Sequence, residues 1–144
     1  MTQIPSTRSV MTPFPHFVEV DDTLLSARAL MVEHQIRHLP VKDHGVLAGI
    51  VTDRDIKRAL DPDMGLPPKQ ELSVSDVFVL EAYVVDAGEP LDTVLEHMAT
   101  HHIGSALVTQ RERLAGILTA TDACRLLCEH LRALHPEGPA DDVA

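Results

Sequence analysis

An α/β (α+β) architecture made of two copies of one β-α-β-β-α unit is expected for this 144-residue chain, and three features point to it. The segment from Val10 to Arg58 recurs 67 positions later without a gap, with identical residues at 14 of its 49 positions, which marks an internal duplication. Inside each copy, short apolar runs flank a stretch with helical periodicity. One strand-to-helix junction is also written twice, as GIVTDRDIKRAL from Gly49 and as GILTATDACRLL from Gly116. A unit of about 67 residues buries little apolar surface alone, so the copies are expected to share a core.

The elements follow in order. A first strand is expected at Phe17–Val20 and Tyr83–Val85. Asp22-Thr23 and Glu89-Pro90 then start a helix in each copy. In the second copy Leu91, Val94, Leu95, Met98 and Ala99 form one apolar stripe, answered in the first by Leu24, Ala27, Leu30, Met31 and Val32. Two more strands are expected at His38–Val41 and Val46–Val51, joined by a hairpin-like turn at 42–45, and at Ser105–Thr109 and Leu114–Leu118. Thr52 and Thr119 open the last helix of each copy, where a hydroxyl suits the exposed N–H groups. The Pro- and Gly-containing segment 61–73 separates the copies. The expected organisation is a first repeat over 1–65, a second over 66–135, and a polar, frayed tail over 136–144.

Composition narrows the function. With three Phe, one Tyr and no Trp, the core must be aliphatic. The net charge is −10, unevenly spread: residues 1–60 carry seven acidic and seven basic side chains, whereas residues 61–96 carry nine acidic residues and only Lys69. Such a balance argues against nucleic-acid binding, which needs a basic footprint. The N-terminal sequence has no continuous apolar signal region, and no apolar run approaches the roughly 20 residues needed to span a bilayer, so a cytoplasmic protein without a membrane segment is expected. Two cysteines, Cys124 and Cys128, four apart in a helical pattern, argue against a disulfide framework; they are expected as small residues in the core or at a helix–helix interface.

Two readings of the duplicated junction compete. Thr52 and Thr119 can be simple helix caps. An aspartate in the first helical turn, at Asp55 and Asp122, adds only about 0.3–1 kcal/mol, which does not by itself require the same offset twice. A short Gly-containing strand ending in Thr, with Asp one turn into the next helix, also brings together a hydroxyl, free N–H groups and a carboxylate. Those groups suit a phosphate and a ribose diol.

The pattern Gly-hydrophobic-x-Thr-x-x-Asp, preceded by IRHLPV at 36–41 and by a β-α unit, resembles the cystathionine-β-synthase (CBS) domain. Two in tandem resemble a CBS pair, or Bateman module, over about residues 8–132. The resemblance implies two three-stranded sheets packed about a pseudo-twofold axis, with clefts for AMP, ADP, ATP or S-adenosylmethionine. It places Thr52 and Thr119 at phosphate or ribose, Asp55 and Asp122 at the ribose, Ile36 and Pro40 in the segment lining the adenine side, and Arg37 and His38 facing phosphate. Arg54 and Thr121 stand beside the motif in the two copies. The second copy departs from the pattern: Leu107 stands for Pro40, Gly104-Ser105 for Arg37-His38, and Ala120-Thr121 for Asp53-Arg54.

Other chemistry is poorly supported. His97, His101 and His102 have helical spacing but no nearby Cys, so no metal site is expected. There is no nucleophile signature, P-loop or HExxH. The expectation is a non-catalytic regulatory module that needs no cofactor, takes an adenosyl ligand and acts on a protein partner the sequence does not identify. The alternative is a structural or protein-interaction pair with vestigial clefts. The final helix, apolar at Ala123, Cys124, Leu126, Leu127, Cys128, Leu131 and Leu134, carries a stripe wider than one sheet would cover, so a homodimer is expected. Arg37, His38, Lys42, Arg54, Lys57 and Arg58 surround the first motif, whereas only Arg125 remains at the matching positions of the second. The first cleft is therefore expected to be the better phosphate site.

Overall fold

A computed structural model of the chain describes residues 3–64, 72–78 and 80–138. Residues 65–71 of the expected linker and 139–144 of the expected tail lie outside them. The strands are β1 (Thr12–Pro13), β2 (Val18–Glu19), β3 (His38–Asp43), β4 (Val46–Thr52), β5 (Val84–Asp86), β6 (Ser105–Gln110) and β7 (Arg113–Thr119). The helices are α1 (Leu24–His34), α2 (Asp53–Ala59), α3 (Leu91–His101) and α4 (Ala120–Leu134). Each copy is thus β-α-β-β-α, with its first strand parallel to the second and the second antiparallel to the third.

Local chemistry explains the element ends. Thr23 caps α1 by accepting a hydrogen bond from the Ser26 N–H. Gln35 and His102 end α1 and α3 in the left-handed conformation, at φ 55° and 56°. The β3–β4 turn places His44 and Gly45 at positive φ, as a two-residue hairpin requires.

One sheet has the order β2-β3-β4 and the other β1-β7-β6-β5. β1 belongs to the first copy in sequence, yet it pairs antiparallel with β7 of the second, Thr12 opposite Ile117 and Pro13 opposite Gly116. Upstream of β1, Thr7 and Arg8 donate their N–H groups to Glu89 and Ala87, and Leu91 donates to Pro5. The second copy returns the exchange: Leu24 donates to the Leu72 carbonyl, Val74 to Asp22 and Ser75 to Val20. Leu72 and Val74 are buried in the first core among Leu24, Leu39, Val51 and Ile56. Burying each such side chain contributes about 1.5–3 kcal/mol. Between the sheets, Ile50, Leu107 and Ile117 form a third cluster, flanked by Leu47 and Leu114.

The exchange accounts for the glycine at position 116. A Cβ built on Gly116 would collide with the Met11 side chain and stand 2.8 Å from the Thr12 carbonyl oxygen. Only glycine lets β1 lie this close to β7.

Several side chains sit elsewhere than their periodicity implied. Val32 and Ala99 are exposed, because α1 and α3 bury only Leu24, Ala27, Met31 and Leu91, Val94, Met98. Cys124 and Cys128 are exposed rather than core residues, since α4 buries none of its 15 residues within the chain. Leu127, Leu131 and Leu134 are about half exposed on that helix, at 58%, 49% and 59%.

Gly116→Ala should cost about 1–3 kcal/mol in urea unfolding, the usual penalty for overpacking, with loss of amide protection at Thr12 and Pro13's neighbour Phe14. An unchanged midpoint would show that β1 can move away freely.

Candidate functional site

The hairpins bring the two repeated junctions to one end of the molecule. In the first, His38 at the start of β3 lies opposite Thr52 at the end of β4, and the Asp53 N–H donates to the Arg37 carbonyl at 2.9 Å. In the second, Ser105 lies opposite Thr119, and Ala120 donates to the Gly104 carbonyl at 2.9 Å. The ends approach each other across the units: a Cβ on Gly104 would stand 3.2 Å from His38 Nε2.

Both Thr–Asp pairs form complete capping boxes. Asp55 N donates to Thr52 Oγ1 at 3.2 Å, while Thr52 N and Thr52 Oγ1 donate to Asp55 Oδ2 at 3.0 and 2.8 Å. In the second unit Thr119 N donates to Asp122 Oδ2 at 2.9 Å and Asp122 N to Thr119 Oγ1 at 3.2 Å. Helix capping is therefore one role of the repeated pair. The units differ at the other carboxylate oxygen. Asp122 Oδ1 accepts from Arg125 Nη1 at 3.4 Å, whereas Asp55 Oδ1 has no hydrogen-bond partner among the described residues.

The other predicted residues fall around this end in different ways. Ile36 is half-buried and its N–H donates to Met31, closing α1. Pro40 is fully buried opposite Ile50, inside the fold rather than at the rim. Arg37, Arg54 and Thr121 are exposed. His16, which no pattern in the sequence marks, stacks on His34 with ring centroids 3.6 Å apart.

The six cations counted around the first motif separate into groups. Lys57 pairs with Asp53 at 2.9 Å, and Lys42 Nζ lies 3.9 Å from the centre of the Phe17 ring. His38 is held below its ordinary value of 6.5, first by burial and then by the Arg37 charge, with Asp55 opposing. Burial and the neighbouring guanidinium thus both favour its neutral imidazole form. Arg37, Arg54 and Arg58 remain without a carboxylate partner among the described residues.

Two histidines of α3 take part in a stack of rings, Tyr83 on His97 and His97 on His101, each at 4.1 Å. Among the described residues no three His, Cys, Asp or Glu side chains converge on one point, and no helix is long and apolar enough to cross a membrane. Two clefts of about 820 and 420 Å³ lie at the opposite end, around the hairpin turns.

Comparison with known proteins gives concordant matches. A family model described as "CBS domain" matches residues 8–62 and 74–129. Hypoxic response protein 1 of Mycobacterium tuberculosis is 33% identical over 129 residues, covering 85% of each chain. Its crystal structure with two coordinated zinc ions superposes with a TM-score of 0.71 at 31% identity, covering 84% of this chain and 98% of the other. A CBS domain pair crystallised with 5′-methylthioadenosine and S-adenosyl-L-methionine gives a TM-score of 0.77 at 25% identity, covering 89% and 99%. The L-aspartate semialdehyde sulfurtransferase of Methanocaldococcus jannaschii is 27% identical over 121 residues, 83% of this chain but 22% of that protein.

The lowered pKa of His38 has a consequence for stability. The unfolded chain takes up this proton more readily than the fold, so the contribution is complete above pH 6.5 and is lost as the pH falls toward the lower folded value. The urea midpoint should therefore drop on acidification through this window, and the drop should shrink in His38→Gln. An equal drop in the variant would assign the effect to other histidines.

Proposed function

Because the chain belongs to the CBS domain family, with two such domains in tandem, we propose that it is a non-catalytic regulatory module whose motif end binds an adenosine-bearing ligand. The observation that carries this reading is the free carboxylate oxygen of Asp55, beside the Thr52 hydroxyl and the unpaired Arg37 and Arg54. Asp55 would accept hydrogen bonds from the ribose diol, the Thr52 hydroxyl would meet ribose or phosphate, and Arg37 and Arg54 would neutralise phosphate. Ile36, half-buried at the end of α1, would border the base, and Pro40 would support that segment from inside the fold. The ligands of the related pair, 5′-methylthioadenosine and S-adenosyl-L-methionine, support an adenosyl group as the common element.

The second site, with Thr119, Thr121 and Asp122, is the weaker one in this reading. It lacks the Arg37 and Arg54 equivalents, and Arg125 already occupies Asp122 Oδ1. It suits an uncharged or cationic adenosine derivative better than a nucleotide. A structural role without ligand draws its support from the complete capping boxes, which use both threonines and both aspartates for the fold alone.

Calorimetric titration of AMP separates these readings. Asp55→Ala should weaken the tighter event by about tenfold to a hundredfold, the loss of one charge-assisted hydrogen bond, and Asp122→Ala should leave it nearly unchanged. Silence of the wild type toward AMP, ATP, 5′-methylthioadenosine and S-adenosylmethionine would favour the structural role.

The module is a homodimer that acts on a protein partner, its seam containing α4; the exposed Leu127, Leu131 and Leu134 support this. Sedimentation at micromolar concentration should give twice the monomer mass, and Leu127→Glu with Leu131→Glu should give the monomer with its fold intact. A monomeric wild type would refute it.

A further inference from the structure

The larger cleft, about 820 Å³, opens at the β6–β7 turn, where the exchanged N-terminal segment crosses β7. Arg8, Arg111, Arg113, Gln110 and Phe14 are among the residues that line it, and no acidic residue is. None of the three arginines has an acidic partner within ion-pair distance among the described residues. Glu112, their acidic neighbour in the turn, lines the adjoining smaller cleft instead. In a chain of net charge −10, three unpaired cations around one cavity mark a place where positive charge is concentrated.

The backbone is strained at the same place. Phe14 sits at φ 48°, an outlier for a bulky aromatic, with its ring 93% exposed and its N–H donating to Ala115 at 3.2 Å. Arg111 and Glu112 hold φ 54° and 65° in a turn that favours Asn-Gly, whereas the first copy uses His44 and Gly45. The pseudo-equivalent positions of the first copy have no such charge. Ser75, His44 and Val46 replace the arginines, Asp43 replaces Gln110, and Glu81 replaces Phe14. The feature belongs to one side of the molecule only.

We propose that this cleft binds a small phosphate-bearing molecule with a planar ring, at a site separate from the motif end. The arginine forks match phosphate oxygens, and the exposed Phe14 ring offers a stacking face. Pro13 and Pro15 remove backbone donors from the neighbouring edge, which disfavours an added peptide strand and directs the site to a small molecule. The proposal does not depend on the adenosyl reading.

Phenyl phosphate and inorganic tripolyphosphate are the probes, titrated calorimetrically at low salt into the full chain and mapped by amide chemical shifts. Both should bind the wild type and shift amides in residues 8–14 and 110–115. Arg111→Gln with Arg113→Gln should weaken both by at least about tenfold at an unchanged melting temperature. Phe14→Ala should weaken phenyl phosphate and spare tripolyphosphate, and Asp55→Ala should leave both intact. Absence of binding, insensitivity to the arginine pair, or loss on Asp55→Ala would overturn the site. Equal response of the two probes to Phe14→Ala would overturn the stacking ring.

Discussion

Neither unit completes its core from its own stretch of sequence. The first needs Leu72 and Val74 from the start of the second, and the second takes Val10 and Met11 from the start of the first, with β1 added to its sheet. Because backbone hydrogen bonds accompany these side chains in both directions, separating the units would expose apolar surface and break sheet and turn bonds together. This reciprocal exchange holds the sheets in register, and the cluster of Ile50, Leu107 and Ile117 fills the space between them. A chain of two small units thereby behaves as one larger one, with a correspondingly better ratio of buried to exposed surface.

Both ends of the molecule take their character from that arrangement. At the motif end the hairpins bring His38 against Gly104, where an added Cβ would press on the imidazole at 3.2 Å. The loss of a side chain in one repeat accommodates a gain in the other. At the turn end the exchanged segment places Arg8 and Phe14 beside Arg111 and Arg113, residues about 100 positions apart in the chain. Duplication made the scaffold symmetric; substitution made both ends asymmetric.

The duplicated Thr and Asp show how one pair of residues can serve both fold and site. Each capping box satisfies N–H groups that the helix start would otherwise leave open, which accounts for the pair in structural terms. The box uses one carboxylate oxygen and leaves the other. What surrounds that second oxygen, Arg125 in one unit and no partner among the described residues in the other, separates the two junctions chemically.

The repeat, the order of elements and the helix-opening Thr–Asp pairs were legible in the chain because they depend on local spacing, and the shift of 67 positions exposes them without any fold. Burial was only partly legible: Leu24, Ala27 and Met31 face the core as periodicity implies, but Val32, Cys124 and Cys128 do not. An apolar stripe states which face of a helix avoids water, and the tertiary structure decides whether this chain has anything to cover it. Exchange of the N-terminal segments, the lowered pKa of His38, the pairing of Lys57 with Asp53 and the arginine-lined cleft were likewise decided only by the fold. Each arises from groups brought together across the two units or by the packing of one side chain on another, and charge, burial and distance at such places have no signature in linear spacing.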